Sequence, residues 1–416
     1  MNPISIEILT IGDELMTGNT LDTNAAHISR ELTGAGYNVK YRSTVGDDVE
    51  EMIEAMRLAL KRADVVITTG GLGPTDDDLT KRALVKVFRR NLIFHEEIVA
   101  ELKARFQRRG MEMPAINQNQ ALLPQGATAF PNTNGSAVGI CLTESNHTMI
   151  SLPGVPEEMK QILNDSVLPH LKTLRGRQPI AIIKIRTTGI FESQLAEMIM
   201  PGLRPDPGVK LAYLPSQVGV DLRIIARGAD DHDAEQKAKR LAQHIESLCG
   251  KYVYGHDDET LEAVVGRLLM EKFSNVSVAE SCTGGALGAL ITSVPGSSTW
   301  FMGGVIAYDN NVKISALDVP RELIELHGAV SEQCAKAMAG GCRKRFATNY
   351  ALAVTGIAGP DGGSDDKPVG TTFVALAGPE KTTVRKSNLG LTRPIVRARA
   401  AQSALEMLRR ELMSIV

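Results

Sequence analysis

Apolar, strand-like segments alternate with amphipathic, helix-like ones along most of this chain, and that alternation leaves few folds open. Residues 4–11 (ISIEILTI), 38–45 and 64–68 (DVVIT) read as strands. Between them, residues 24–35 put Ile28 and Leu32 on one helical face, and residues 49–61 do the same with Met52, Ile53, Met56 and Leu60. Strands joined by helices make βαβ units, whose parallel sheet must be covered on both faces. The pattern changes near residue 172, where KTLRGRQPI is polar and carries Pro179. A strand (181–187), a helix (192–200), two strands (210–213 and 218–226), a helix (234–248) and a short strand (252–254) follow, the order of a small α+β module. After GHDDET at 255–260 the alternation returns, with a helix at 261–272, a strand at 275–279 and a helix at 286–293. Strands at 351–354 and 371–377 and a terminal helix at 393–413 complete it. The predicted fold class is α/β: two α/β domains with mostly parallel sheets, residues 1–171 and 255–416, joined by an α+β module at 172–254.

Composition narrows the function. The 416 residues carry 46 Lys and Arg against 48 Asp and Glu, and aromatics are only 4%. Direct nucleic-acid binding draws on a basic surplus and on stacking aromatics, and neither is present. No run of about 18 apolar residues occurs, so no membrane span is expected. The opening MNPISIEILTIGDEL lacks a basic n-region and a cleavage site and is not read as a signal peptide. The five cysteines are odd in number and form no C-x-x-C pair, which argues against a disulfide framework or zinc ribbon and for a reduced, cytoplasmic protein.

Directly after the DVVIT strand comes Gly70-Gly71-Leu72-Gly73-Pro74-Thr75, then Asp76-Asp77-Asp78. Glycines let main-chain N–H groups approach an anion, whereas three carboxylates repel one unless a hard cation such as Mg²⁺, Mn²⁺ or Co²⁺ intervenes. A turn whose aspartates cap a helix is the equal alternative. Gly12-Asp13-Glu14, Asp22-Thr23-Asn24 and Gly46-Asp47-Asp48 fall where other strands should end, the place where open parallel sheets bind ligands. Asp22 and Asn24 read equally well as caps.

The C-terminal part carries a second set of motifs. Strand 275–279 runs into Glu280-Ser281-Cys282-Thr283-Gly284-Gly285 and a helix, a tight turn that exposes a nucleophile beside glycine N–H groups. Ser281 and Cys282 compete for that role. No histidine stands out as a base, which leaves Tyr308 and Lys313 in YDNNVK; a lysine shielded from water loses its proton more easily. Gly356-Ile357-Ala358-Gly359 follows Thr355 as another glycine loop at a strand end. The terminal helix carries Arg393, Arg397 and Arg399, of which the first two share a face and suit a phosphate.

In order along the chain, IGDELMTGNTLDTN, VGDD, TTGGLGPTDDDLT and LPGVPEEM resemble the N-terminal domain of the CinA (competence/damage-inducible protein A) family. The resemblance implies a molybdopterin-binding-like fold, with Asp47 and Asp78 at the catalytic and metal position. Asp22, Asn24, Gly70, Gly71 and Gly73 would lie around the substrate. It further implies hydrolysis of ADP-ribose to AMP and ribose 5-phosphate, dependent on a divalent metal (Co²⁺, Mg²⁺ or Mn²⁺) and on K⁺. Residues 134–139 (NGSAVG) stand where the family tends to have G-T-A-P-G. AESCTGG, the Tyr-x4-Lys spacing, VTGIAGPDGG and KPVGT are similar to the nicotinamide-mononucleotide deamidase domain of the same family. That likeness implies Ser281 as nucleophile, Tyr308 and Lys313 as its activating partners, and no cofactor. Thr283, Gly284, Gly285, Thr355, Gly356, Gly359, Arg393 and Arg397 would form the substrate site, although Leu391-Thr392 replaces the usual Gly-Asp before the first arginine. The resemblance implies a homodimer acting on small nucleotides, while the near-neutral charge, the few aromatics and the lack of an apolar span leave neither nucleic acid nor membrane as an expected partner. Two other readings compete: a non-catalytic pterin- or nucleotide-binding N-terminal domain, and an interaction protein of competence or DNA-damage responses.

Overall fold

The computed structural model describes residues 4–75, 78–174, 176–203, 206–390 and 392–414. The chain divides into two compact units, residues 1–181 with 227–234, and residues 182–226 with 235–416.

The first unit is built on β1 (Ser5–Ile11), β2 (Asn38–Val45), β3 (Val65–Thr69), β4 (Leu92–Phe94), β5 (Leu122–Pro124), β6 (Thr128–Phe130), β7 (Gly139–Glu144) and β8 (His147–Leu152). Its main sheet has the order β2-β1-β3-β8-β7-β6, while β4 and β5 form a separate pair. The first four strands are parallel, because helices such as Thr23–Gly34 and Val49–Arg62 carry the chain back between them. β7 and β8 are antiparallel, joined by a tight turn that leaves no room for a crossover. Ile6 and Ile8 of β1 enter one apolar cluster with Ile28 and Leu32, whereas Leu9 and Ile11 enter the opposite one with Met52 and Met56. Both faces are therefore covered, as a parallel sheet requires.

The second unit holds two sheets. β9 (Ile180–Thr187), β10 (Val209–Pro215), β11 (Val220–Arg227) and β12 (Val253–His256) pair in the order β10-β11-β9-β12, with helices Glu192–Ile199 and Asp231–Cys249 in the same stretch of chain. β13 (Val276–Glu280), β14 (Phe301–Ile306), β15 (Tyr350–Gly356), β16 (Thr371–Ala377) and β17 (Thr382–Asn388) pair in the order β14-β13-β15-β16-β17. β13, β14 and β15 are mutually parallel, and β16 and β17 return antiparallel. Trp300, the only tryptophan, is 1% exposed and lies against helix Leu261–Glu271 at Gly266, where a Cβ atom would come within 2.6 Å of the indole ring. Among the described residues no helix is long and apolar enough to cross a membrane.

Candidate active sites

Parallel register decides where the C-terminal motifs meet. Glu280 of β13 pairs with Ile306 of β14 and with Val354 of β15, so the three strands end side by side. Each then releases one motif from the same edge: Ser281 to Gly285, Ala307 to Lys313, and Thr355 to Gly359. Two bonds lock the edge, the Ser281 N–H donating to the Val354 carbonyl (2.9 Å) and the Ala307 N–H to the Glu280 carbonyl (2.7 Å).

The Ser281 turn is held from within by Glu280, a residue to which the sequence reading gave no role beyond its place at the start of the turn. Its side chain is 1% exposed and accepts from the main-chain N–H groups of Gly285 (3.0 Å), Leu287 (3.0 Å) and Gly288 (2.8 Å). Gly284 and Gly285 take φ values of +57° and +93°, a left-handed pair that returns the chain towards Glu280. These N–H groups are therefore committed to the carboxylate. Cys282 belongs to the apolar core, and its burial pushes the thiol up to about 11. Ser281 Oγ makes no hydrogen bond to any described residue. Thr283 is wholly buried; its carbonyl accepts from Arg397 Nε (3.0 Å) and Nη2 (2.8 Å), while its hydroxyl has no partner among the described residues.

Lys313 lies on helix Asn310–Leu317, 1% exposed, and donates to the Tyr308 carbonyl (2.9 Å) and to Asn310 Oδ1 (3.4 Å). Burial holds its ammonium below the usual lysine range, against a smaller opposing pull from Cys334, Asp309, Cys282 and Tyr308. The Tyr308 hydroxyl accepts from Arg393 Nη2 (3.0 Å), and Arg393 Nη1 donates to the Gly359 carbonyl (3.1 Å). Thr355 turns its hydroxyl to the Ala329 carbonyl (2.9 Å) and so anchors the glycine loop. Arg393 and Arg397 thus brace three segments of the site. Arg399, grouped with them in the sequence, points elsewhere: it donates to the carbonyls of Gln217 and Leu389, because it lies roughly 200° around the helix from Arg397. Leu391 lies outside the described residues.

Removing the Glu280 carboxylate strands three N–H groups in the interior. Glu280→Ala should therefore cost about 3 kcal/mol or more of stability, and Glu280→Gln, which keeps one acceptor, distinctly less. Denaturation midpoints of the two variants test this, and an Ala variant as stable as the parent would refute it.

In the N-terminal domain a cavity of about 340 Å³ opens beyond the ends of β1 and β3. Asp22, Asn24, Asp47, Gly70, Gly71 and Asp78 all line it. Asp22 also caps its helix, accepting from the Ala25 N–H (2.8 Å). Asn24 donates to the Gly154 carbonyl (2.7 Å) and to Thr69 Oγ1 (3.2 Å), so it bridges two walls and is not a cap. Asp78 binds its own loop, accepting from Gly73 N–H (2.6 Å), Thr75 N–H (2.9 Å) and Thr75 Oγ1 (2.5 Å). Gly73 acts through that main-chain bond, and a Cβ on it would come within 2.3 Å of the carboxylate. Asp47 and Asp13 exchange main-chain-to-carboxylate bonds (2.9 and 3.0 Å). Burial raises the Asp47 carboxyl against the opposing Asp13 N–H, and the charges of Asp13, Glu14 and Asp78 add smaller upward pushes. Asp76 and Asp77 lie outside the described residues.

A divalent cation suits this oxygen-rich, mutually repelling set in its chemistry. Among the described residues, however, no three carboxylate, histidine or cysteine side chains are spaced as a cage. The fit is that of a hard cation held by one or two carboxylates and completed by ligand phosphate oxygens.

Two candidate sites at parallel strand ends, one acidic and one serine–lysine, on separate α/β domains define a class of two-site α/β proteins. Residues 7–173 match a family model described as a probable molybdopterin binding domain, residues 184–255 the damage-inducible protein CinA KH domain, and residues 258–412 the CinA C-terminal domain. A CinA-like protein of Gemmatimonas aurantiaca is 44% identical over 414 residues, covering 98% of this chain and 96% of that protein. Another from Crocosphaera subtropica is 41% identical over 414 residues, covering 98% and 100%. The crystal structure of the competence/damage inducible protein CihA from Agrobacterium tumefaciens is 37% identical, covering 36% of this chain and 94% of that one, with a TM-score of 0.35. The chain belongs to the CinA family.

Proposed function

We propose that the chain is a bifunctional hydrolase of pyridine-nucleotide recycling. Its C-terminal domain hydrolyses the carboxamide of nicotinamide mononucleotide, and its N-terminal domain cleaves the diphosphate of ADP-ribose to AMP and ribose 5-phosphate. The observation that carries the first activity is the convergence, at one sheet edge, of an unengaged serine hydroxyl and a buried lysine whose ammonium is destabilised by burial.

Neutral Lys313, aided by the Tyr308 hydroxyl, takes the Ser281 proton as Oγ attacks the amide carbon. The tetrahedral oxyanion needs donors, and the N–H groups of Gly285, Leu287 and Gly288 are already spent on Glu280. Cys282 and Thr283 supply the main-chain N–H groups that remain at the turn. The C–N bond breaks with the proton returned to nitrogen as ammonia, and water then releases nicotinate mononucleotide and restores Ser281. Because the base must be neutral, kcat/KM should rise with pH through the lowered pKa of Lys313, levelling off below the usual lysine range. A pH profile checks this, with Lys313→Met expected to lose the rising limb; an unchanged limb in that variant rules out Lys313 as the base.

In the N-terminal cavity, Asp47 and Asp78 would hold a divalent cation, which supplies charge neutralisation at the diphosphate when bound. The chain itself offers the Gly70-Gly71 main chain to the phosphates and holds Asp78 in place through Gly73 and Thr75. Incubation with nicotinamide mononucleotide should release ammonia, and incubation with ADP-ribose plus metal should release AMP. ADP-ribose bound without turnover would instead favour a binding module.

A further inference from the structure

Helix Arg393–Met413 has two polar faces. One braces the candidate deamidase site through Arg393 and Arg397. The other runs through Arg399, Gln402, Glu406 and Arg409, spaced three, four and three residues apart and so aligned along one side. This second face meets the middle module. Arg399 Nε donates to the Gln217 carbonyl in the turn between β10 and β11 (2.7 Å), and Gln402 Nε2 donates to Thr188 Oγ1 (3.4 Å). Arg409, fully buried, donates to the carbonyls of Lys251 (2.9 Å) and Val253 (3.1 Å) while paired with buried Glu406 (2.7 and 3.0 Å).

Arg399 also reaches inward. Its Nη1 donates to the Leu389 carbonyl (3.0 Å). The Leu389 N–H donates to the Gly370 carbonyl (3.0 Å), and the Gly370 N–H to the Ile357 carbonyl (2.8 Å). Ile357 lies between Gly356 and Gly359 in the loop whose Gly359 carbonyl holds Arg393. A continuous hydrogen-bond path therefore joins the main chain of the middle module to the glycine loop of the catalytic domain. The planar guanidinium satisfies two carbonyls at once, a geometry that the point charge of lysine does not reproduce.

We propose that Arg399 is a positioning residue for the amide hydrolysis, and that the β10–β11 turn of the middle module, through the Gln217 carbonyl, fixes the substrate loop of the C-terminal domain. The proposal rests on the deamidase reading of that domain. It gives the middle module a task in catalysis although, among the described residues, the strand-end site is built from the C-terminal domain alone.

The test uses the full-length protein. In Arg399→Ala, KM for nicotinamide mononucleotide should rise on the order of tenfold with kcat within about twofold, and Arg399→Lys should fall between. Gly219→Ala approaches the same path from the other side: a Cβ there would come within 2.4 Å of the Thr187 carbonyl and displace the turn, with no change in the catalytic domain. It should raise KM as well. Amide hydrogen exchange at Gly370 and Leu389 should quicken in Arg399→Ala and Gly219→Ala, with β13 still protected. That readout needs no turnover, so faster exchange in a protein that does not deamidate the nucleotide would refute the deamidase reading and support the path. Parental KM in Arg399→Ala with unchanged exchange at Gly370 and Leu389 would overturn the proposal, as would a response to Gly219→Ala alone.

Discussion

Ser281→Ala is expected to lower ammonia release from nicotinamide mononucleotide by a factor on the order of 10⁶, the scale seen when a serine nucleophile is removed from an otherwise intact site. The structure makes this a clean substitution. Ser281 Oγ bonds to none of the described residues, and the bonds that shape its turn run from main chain to Glu280 and Val354. Alanine keeps the backbone and removes only the attacking atom. ADP-ribose hydrolysis in the same protein should be untouched. If Ser281→Ala still releases ammonia at the parental rate, another group attacks; Cys282, sunk in the core with its thiol pushed up to about 11, is a poor substitute.

Asp78→Asn should reduce AMP release from ADP-ribose by a factor on the order of 10² to 10³, as expected when charge aimed at a reacting phosphate is lost. Asp47→Asn should act in the same direction, and neither should alter deamidation. Asp78 also ties its loop together, so a structural cause must be separated from an electrostatic one. Thr75→Val does that, because it removes the hydroxyl bonded to Asp78 and keeps the carboxylate. A loss in Thr75→Val equal to that in Asp78→Asn would show that Asp78 acts by shaping the loop.

The sequence made some of this architecture plain and hid the rest for identifiable reasons. Strands such as β3, β13 and β16 are largely apolar and buried at every residue, and their position could be read directly. β14 and β17 escaped notice because they are edge strands: FMGGVI carries two glycines and TTVRKSN is polar. The gathering of Ser281, Lys313 and Gly359 depends on parallel register between segments far apart in sequence, which no local pattern encodes. Glu280 shows the opposite difficulty. A carboxylate at the end of a strand looks solvated, and only the backward turn through Gly284 and Gly285 buries it. Arg399 was grouped with Arg393 and Arg397 by proximity, while its partner carbonyl lies in another module.

Trp300, buried beneath Gly266, gives the molecule a built-in and one-sided optical reporter. Excited selectively, its emission follows the packing of the C-terminal domain and is blind to the N-terminal one, which contains no indole. A melting curve recorded by tryptophan fluorescence therefore describes the domain that holds Ser281. Loss of the acidic cavity would pass unseen unless circular dichroism or calorimetry were recorded beside it.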